Sequence, residues 1–363
     1  MRITDVEVIP FRIPLHRPVV WAAGRMDCVD WVLVTITAED GSRGVAEAIP
    51  RPMIYGETQV SIAHAISAVL GPMLIGQDSF ALAPIWRAME GLAGNLAAKS
   101  AIDIALHDLN GKLTGLPVHR LLGGPERSHV DLVWMVGLMD EQGMIDDAVA
   151  RAAEGFRAFK VKGGIDPDSD IRVARAMREA LPHVQIYIDA NMKYDRDTGL
   201  RVLRALSGVL DAVEEPLPAG DDMGRVDLAR RVDVPLMGDE SVFTPADVAR
   251  QIRLGALRRV SLKMPRTGFW LSRKIVAMCE TASIPMQICT QSETTLGVAA
   301  CLQLAAAYGQ ISLPSELTFH LEVDGRITAQ AFAVENGRLP VPTAPGNGAD
   351  VDPDRLDRYR VTL

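Results

Sequence analysis

Ala158-Phe159-Lys160-Val161-Lys162 is a short apolar run with lysines at alternate positions, and variants of this pattern recur down the chain. Gln185-Ile186-Tyr187-Ile188-Asp189, Ala212-Val213-Glu214, Leu236-Met237-Gly238-Asp239 and Arg259-Val260-Ser261-Leu262-Lys263 are each a few strand-forming residues that end in a charge. The terminal charges, Lys162, Asp189, Glu214, Asp239 and Lys263, are 27, 25, 25 and 24 positions apart. That spacing is about one strand plus one helix. Working outward, Val130–Val136 precedes the set and Met286–Cys289 and Ile311–Leu313 follow it, which makes eight candidate strands alternating with amphipathic helices and predicts a parallel barrel. The rival open, doubly wound sheet is disfavoured because no G-x-G-x-x-G turn follows any of these runs. Thr244-Pro245 opens one intervening helix with a capping hydroxyl and a proline at the first helical position.

The first part of the chain has a different texture. Ile3–Ile13 and Trp31–Ala38 are rich in β-branched residues, and Glu39-Asp40-Gly41-Ser42 before Gly44–Ile49 is a hairpin signal. Helical periodicity then takes over in Val60–Leu70, Ala81–Leu92 and Ala97–Leu113. The reading is an α+β capping domain over 1–125, a barrel over 126–320, and a segment over 321–363 that returns to the cap. The last inference rests on the barrel being complete without that segment.

Composition narrows the function. The 363 residues are 48% apolar, which excludes disorder, and the net charge of −8 is spread along the chain, against a basic nucleic-acid-binding stripe. No run approaches the roughly 20 apolar residues of a membrane span, and the N-terminus lacks signal-peptide order, so a cytoplasmic protein with a small-molecule partner is expected. Cys28, Cys279, Cys289 and Cys301 are scattered without a C-x-x-C pair and are read as buried thiols. The seven histidines show no ligand spacing and are read as surface or packing residues, His107 as a helix-packing one.

In a barrel, the charges at successive strand ends converge on the C-terminal mouth, where such folds build their sites. Lys160 and Lys162, like Asp189 and Asn191, are two apart and project to one face. Two lysines in one lumen would lower each other's pKa, and three clustered carboxylates would be unstable alone, so the arrangement calls for a cation. Asp189, Glu214 and Asp239 are hard oxygen donors with no competing histidine or cysteine, which favours Mg2+, with Mn2+ as the alternative. A substrate carboxylate at that cation would have its α-hydrogen acidified, and Lys162 and Lys263, from opposite sides, would move the proton.

Taken together, Phe159-Lys160-Val161-Lys162, Asp189-Ala190-Asn191, Glu214-Glu215-Pro216, Asp239-Glu240-Ser241 and Leu262-Lys263 resemble the enolase superfamily, in its muconate lactonizing enzyme subgroup. The resemblance spans essentially the whole chain and implies a modified TIM barrel with an N-terminal α+β cap completed by the C-terminal segment. It implies Asp189, Glu214 and Asp239 as metal ligands, supported by Asn191 and Glu240. Lys162 and Lys263 would be the proton donor and acceptor, with Lys160 an electrostatic aid. The cap segment Arg51-Pro52-Met53-Ile54-Tyr55-Gly56 and the stretch Trp21 to Met26 resemble the loops that cover the site. Arg51, Tyr55 and, from the seventh-strand region, Glu293 are expected to bind substrate, and a homo-oligomer is expected. Arg266-Thr267-Gly268-Phe269 has one glycine where many relatives have a pair. Ser315-Glu316-Leu317 lacks the Asp-x-Asp with which dipeptide epimerases hold a substrate amine.

The leading expectation is therefore a muconate cycloisomerase-like isomerase working through an enolate α to a carboxylate. The alternative is a racemase or epimerase of amino acids or N-acylated amino acids, which needs both lysines. A Schiff-base barrel would leave the three spaced acids without purpose, and a retired, non-catalytic binding module is at odds with intact Lys162 and Lys263.

Overall fold

The structure is a computed structural model that describes residues 1–21 and 24–363. The chain opens with an antiparallel sheet of β1 (Ile3–Trp21), β2 (Gly24–Ala38) and β3 (Arg43–Ala48), in that order. Both long strands run past the predicted bounds, and a register shift between Pro14 and Val19 divides β1. Proline without an amide hydrogen is tolerated at such an irregularity. Gly44 lets this sheet lie directly on the helix Leu96–Thr114, since a Cβ there would stand 2.1 Å from the Ala105 carbonyl.

The remaining strands are β4 (His129–Asp131), β5 (Val133–Val136), β6 (Ala158–Lys162), β7 (Gln185–Asp189), β8 (Ala212–Glu214), β9 (Leu236–Gly238), β10 (Arg259–Leu262), β11 (Met286–Ile288) and β12 (Arg338–Pro340). Strands β5 to β11 form one seven-stranded parallel sheet in sequence order, each pair joined by a helix, as the sequence predicts. The predicted eighth strand, Ile311–Leu313, does not form among the described residues. Instead the irregular segment 313–316 closes the ring. The Leu313 amide donates to Met286 and that of Glu316 to Ile288 (3.0 and 2.8 Å), while Ser315 exchanges bonds with the Asp131 carbonyl and the Val133 amide (2.8 and 2.9 Å). Pro314 within this segment has no amide hydrogen to give a regular ladder. The architecture is a modified TIM barrel with an α+β N-terminal unit.

Alternation along the strands sorts the core. Phe159, Val161, Ile186, Ile188, Val213, Leu236 and Leu262 face outward into the layer beneath the helices. Val133, Ala158, Tyr187, Ala212 and Met237 form a separate inward layer that plugs the floor of the barrel. Two residues further along the same inward face come Lys160, Asp189, Glu214 and Asp239. The tail divides its contacts. β12 pairs with β4, whereas Phe319, Val323, Ile327 and Leu356 pack with Phe11, Ile13 and Trp31 of the N-terminal sheet.

Candidate active site

Parallel pairing sets Lys162 beside Asp189 and Asp189 beside Glu214, and Asp239 stands one residue past the end of β9. All three acids are essentially solvent-free at 1%, 0% and 0% exposure. Lys160 lies beneath them, its Nζ 3.0 Å from Asp189, from Glu214 and from Glu316. The Lys162 Nζ is 2.6 Å from Asp189 Oδ2 and 3.3 Å from Asn191 Oδ1. Lys263 approaches from the far side, 2.5 Å from Asp239 Oδ2. The two lysines thus flank the acid-bearing strands β7, β8 and β9.

Electrostatics follow from this packing. Burial opposes charge on Lys160 and Lys263, but the facing carboxylates, Asp189 first for Lys160 and Asp239 for Lys263, outweigh it and raise both pKa values. Mutual depression of lysine pKa, expected from Lys160 and Lys162 sharing the lumen, is therefore not what Lys160 shows: acids intervene. Burial, reinforced by Asp189 and Asp239 against the pull of Lys160, raises Glu214. Burial likewise raises Glu240, with Asp239 adding to it.

Neighbouring residues hold this set in place. Arg266 donates to the Asp239 carboxylate at 2.9 Å and carbonyl at 2.8 Å while stacking 4.0 Å over Phe243. Glu215, paired with buried Arg225 at 2.8 Å, accepts the amides of Asp239 and Ser241 at 2.8 and 3.0 Å. Asn191, Met192, Glu215 and Ser292 all have positive φ, so backbone strain is concentrated at these strand ends. Helix Leu96–Thr114 reaches the site through Asp103, which accepts the amides of Phe269 and Trp270 at 2.6 and 2.9 Å. His107 packs on Phe269, as a helix-packing residue should.

Among the described residues, no three Asp, Glu, His or Cys side chains stand as a ready-made ligand shell, because lysine ammoniums lie between the acids. The chemistry of the set nevertheless fits a divalent cation. It offers three hard carboxylates on neighbouring strands; Glu240 Oε2 is buried without a partner, and Glu214 Oε2 and Asp239 Oδ2 are met only by the ammoniums of Lys160 and Lys263.

A cavity of about 90 Å3 opens above the lysines, between them and the N-terminal unit, lined by Lys160, Lys162, Lys263, Asn191, Glu240 and Arg51 among others. A larger cavity, about 930 Å3, lies elsewhere, between the N-terminal sheet and the tail, and is lined by none of these residues. Of the residues expected to bind substrate, Arg51 lines the smaller cavity, but Tyr55 and Glu293 do not. The Tyr55 hydroxyl is spent on the Ile49 carbonyl, and Glu293 accepts from Thr290 Oγ1 and the Gln291 amide. Of the expected covering stretch Trp21 to Met26, residues 22 and 23 lie outside the described residues, and Trp21 and Met26 line the cavity.

Two residues escaped the sequence reading. Glu316 lies in the irregular closing segment, so no strand-end pattern marked it. Cys289, read only as a buried thiol, donates to Glu316 at 2.8 Å and lies 3.4 Å from Lys160 Nζ. Cys28 is exposed, contrary to expectation, because the outer part of β2 lies beyond the packed sheet.

Comparison with known proteins agrees with this fold. Residues 3–123 match the family model for the mandelate racemase/muconate lactonizing enzyme N-terminal domain, and 143–355 match the enolase C-terminal domain-like model. Muconate cycloisomerase 1 of Rhodococcus opacus is 31% identical, covering 99% of this chain and 98% of its own. A muconate lactonizing enzyme from Mycobacterium smegmatis, solved with muconolactone, superposes with a TM-score of 0.96 at 34% identity over 100% of both chains. A dipeptide epimerase from Cytophaga hutchinsonii, solved with Mg and D-Ala-L-Val, gives a TM-score of 0.93 at 26% identity over 99% of this chain and 98% of that one.

Proposed function

The chain belongs to the mandelate racemase/muconate lactonizing enzyme family of the enolase superfamily and is an isomerase, and on that premise we propose that it lactonizes a muconate-type dienedioate. The observation that carries the site assignment is the pair of ammoniums, Lys162 and Lys263, flanking three buried acids at one cavity. Asp189, Glu214 and Asp239 would hold a divalent cation, Mg2+ or Mn2+, which supplies Lewis-acid stabilisation of charge on a substrate carboxylate when bound. Asn191 and Glu240 border that position.

In the proposed reaction an oxygen of one substrate carboxylate adds to the double bond remote from it, forming the ring C–O bond. The displaced π pair moves to the carbon next to the second carboxylate. Lys162 gives its proton to that carbon, so the enolate collapses to the lactone and no co-reactant is consumed. Lys160, fixed by Asp189, Glu214 and Glu316, keeps positive charge at the cavity floor beneath the developing anion. Lys263 holds Asp239 on the other side.

The racemase or epimerase reading draws on the same two lysines, one on each side. Against an amine-bearing dipeptide stands the closing segment, where Glu316 is the acid and is already engaged by Lys160 and Cys289. The deciding experiment incubates the enzyme with cis,cis-muconate and Mg2+ and follows loss of the diene and appearance of lactone. Turnover is expected to stop with a chelator and to fall by about 10²–10⁴ in Lys162→Ala. Absence of lactone, together with solvent deuterium entering the α-carbon of N-acyl amino acids, would shift the assignment to a racemase.

A further inference from the structure

We infer that Arg51 binds a second carboxylate of the substrate and makes the cavity selective for dicarboxylates, an inference that rests on the carboxylate-binding isomerase reading above. Four cationic side chains line this cavity: Lys160, Lys162, Lys263 and Arg51. Each lysine has a carboxylate oxygen within 3.0 Å. Arg51 has none within 4.0 Å among the described residues.

Its hydrogen bonds go instead to neutral groups. Nη2 donates to the Gln291 carbonyl at 2.6 Å and to the Ser292 hydroxyl, while Nη1 donates to the Pro50 carbonyl at 3.3 Å and touches the Met26 sulfur at 3.7 Å. Glu293, whose field reaches Arg51, has its oxygens turned to Thr290 and Gln291. A guanidinium keeps its charge throughout the working pH range, and a desolvated cation without an anion is unfavourable. The neutral acceptors orient the fork without neutralising it.

The same lining carries an apolar set, Trp21, Met26, Ile54, Met135 and Phe319, while its two acids, Glu240 and Glu316, come from the strand-end cluster. The complementary ligand therefore has an anion at each end and a hydrocarbon middle. One carboxylate meets the acid and lysine cluster, and the other meets Arg51 as a charge-assisted, fork-shaped pair. A ligand with an ammonium at that end would be repelled.

Calorimetric titration of the Mg2+-loaded enzyme with adipate and with hexanoate, its counterpart lacking one carboxylate, tests this without turnover. Wild type should bind adipate at least about tenfold more tightly, as one charge-assisted pair warrants. Arg51→Gln should erase the preference while leaving hexanoate binding in place, and Arg51→Lys, which keeps the charge but not the fork, should retain part of it. Equal affinities in wild type, no binding of either ligand, or a preference that survives in Arg51→Gln would each overturn the inference. An enzyme that shows the pattern yet forms no lactone from muconate keeps this role for Arg51 and loses the cycloisomerase reading.

Discussion

Glu47 provides a test of how the N-terminal unit is fastened to the barrel. It sits on β3, fully buried, where its carboxyl accepts the Thr294 amide at 2.7 Å and the Thr294 hydroxyl at the start of helix Thr295–Ala307. Gly297 makes room, since a Cβ there would lie 2.4 Å from Glu47 Oε1. Burial is the dominant influence and, against the Thr294 hydrogen bonds, raises the pKa from 4.5 to about 8. Between those values the folded chain retains a proton that the unfolded chain has released, so stability declines as pH rises. Below that window both states are protonated and the penalty is absent; above it both are ionised and the penalty is complete. At ~1.4 kcal/mol per pH unit the full loss is on the order of 3–5 kcal/mol. With unfolding entropy of about 2.1 cal/mol/K per residue over the whole chain, 1 kcal/mol corresponds to roughly 1.3 °C in Tm. Glu47→Gln keeps the acceptor and cannot ionise. Its Tm should rise relative to wild type by about 4–6 °C between about pH 5 and pH 9 in paired thermal scans. A difference that stays flat across that range, or that favours wild type at high pH, would refute the account of a neutral carboxyl locking the two units together.

Two substitutions probe the supports of the site. Gly268 has φ 55 and ψ −165, and a Cβ there would stand 2.4 Å from Asp103 Oδ2. Gly268→Ala should therefore lose about 1–3 kcal/mol from backbone strain alone and also lower kcat through displacement of Lys263; unchanged Tm and kcat would remove Gly268 from the argument. Arg225→Met strands the buried Glu215 carboxylate that holds the Asp239 amide, and should destabilise by about 3–5 kcal/mol. Mg2+ affinity measured by calorimetry should fall with it, and a loss of stability with metal affinity intact would show that Glu215 does not position Asp239.

What could be read from sequence was what strand periodicity writes locally. Lys160 and Lys162 face inward because alternation leaves Phe159 and Val161 for the helices, and one strand-helix unit of about 25 residues carries that phase to Asp189, Glu214 and Asp239. Where the chain stops being periodic, the signal stops too. Glu316 reaches Lys160 from a proline-containing segment that closes the barrel without a regular ladder, so no alternation predicted its direction. The contacts that join the two units are also long-range: Glu47 to Thr294 spans 247 positions and Asp103 to Phe269 spans 166. No local rule links such pairs.

Arg51 shows the remaining gap most clearly. The sequence placed it in a loop over the site, beside Tyr55, with nothing to rank the two. Folding sends the Tyr55 hydroxyl to the Ile49 carbonyl and leaves the Arg51 charge facing the cavity. On the proposal made for Arg51, specificity follows from which side chain the backbone leaves without a paired anion, a property of the assembled cavity that strand-end periodicity does not encode.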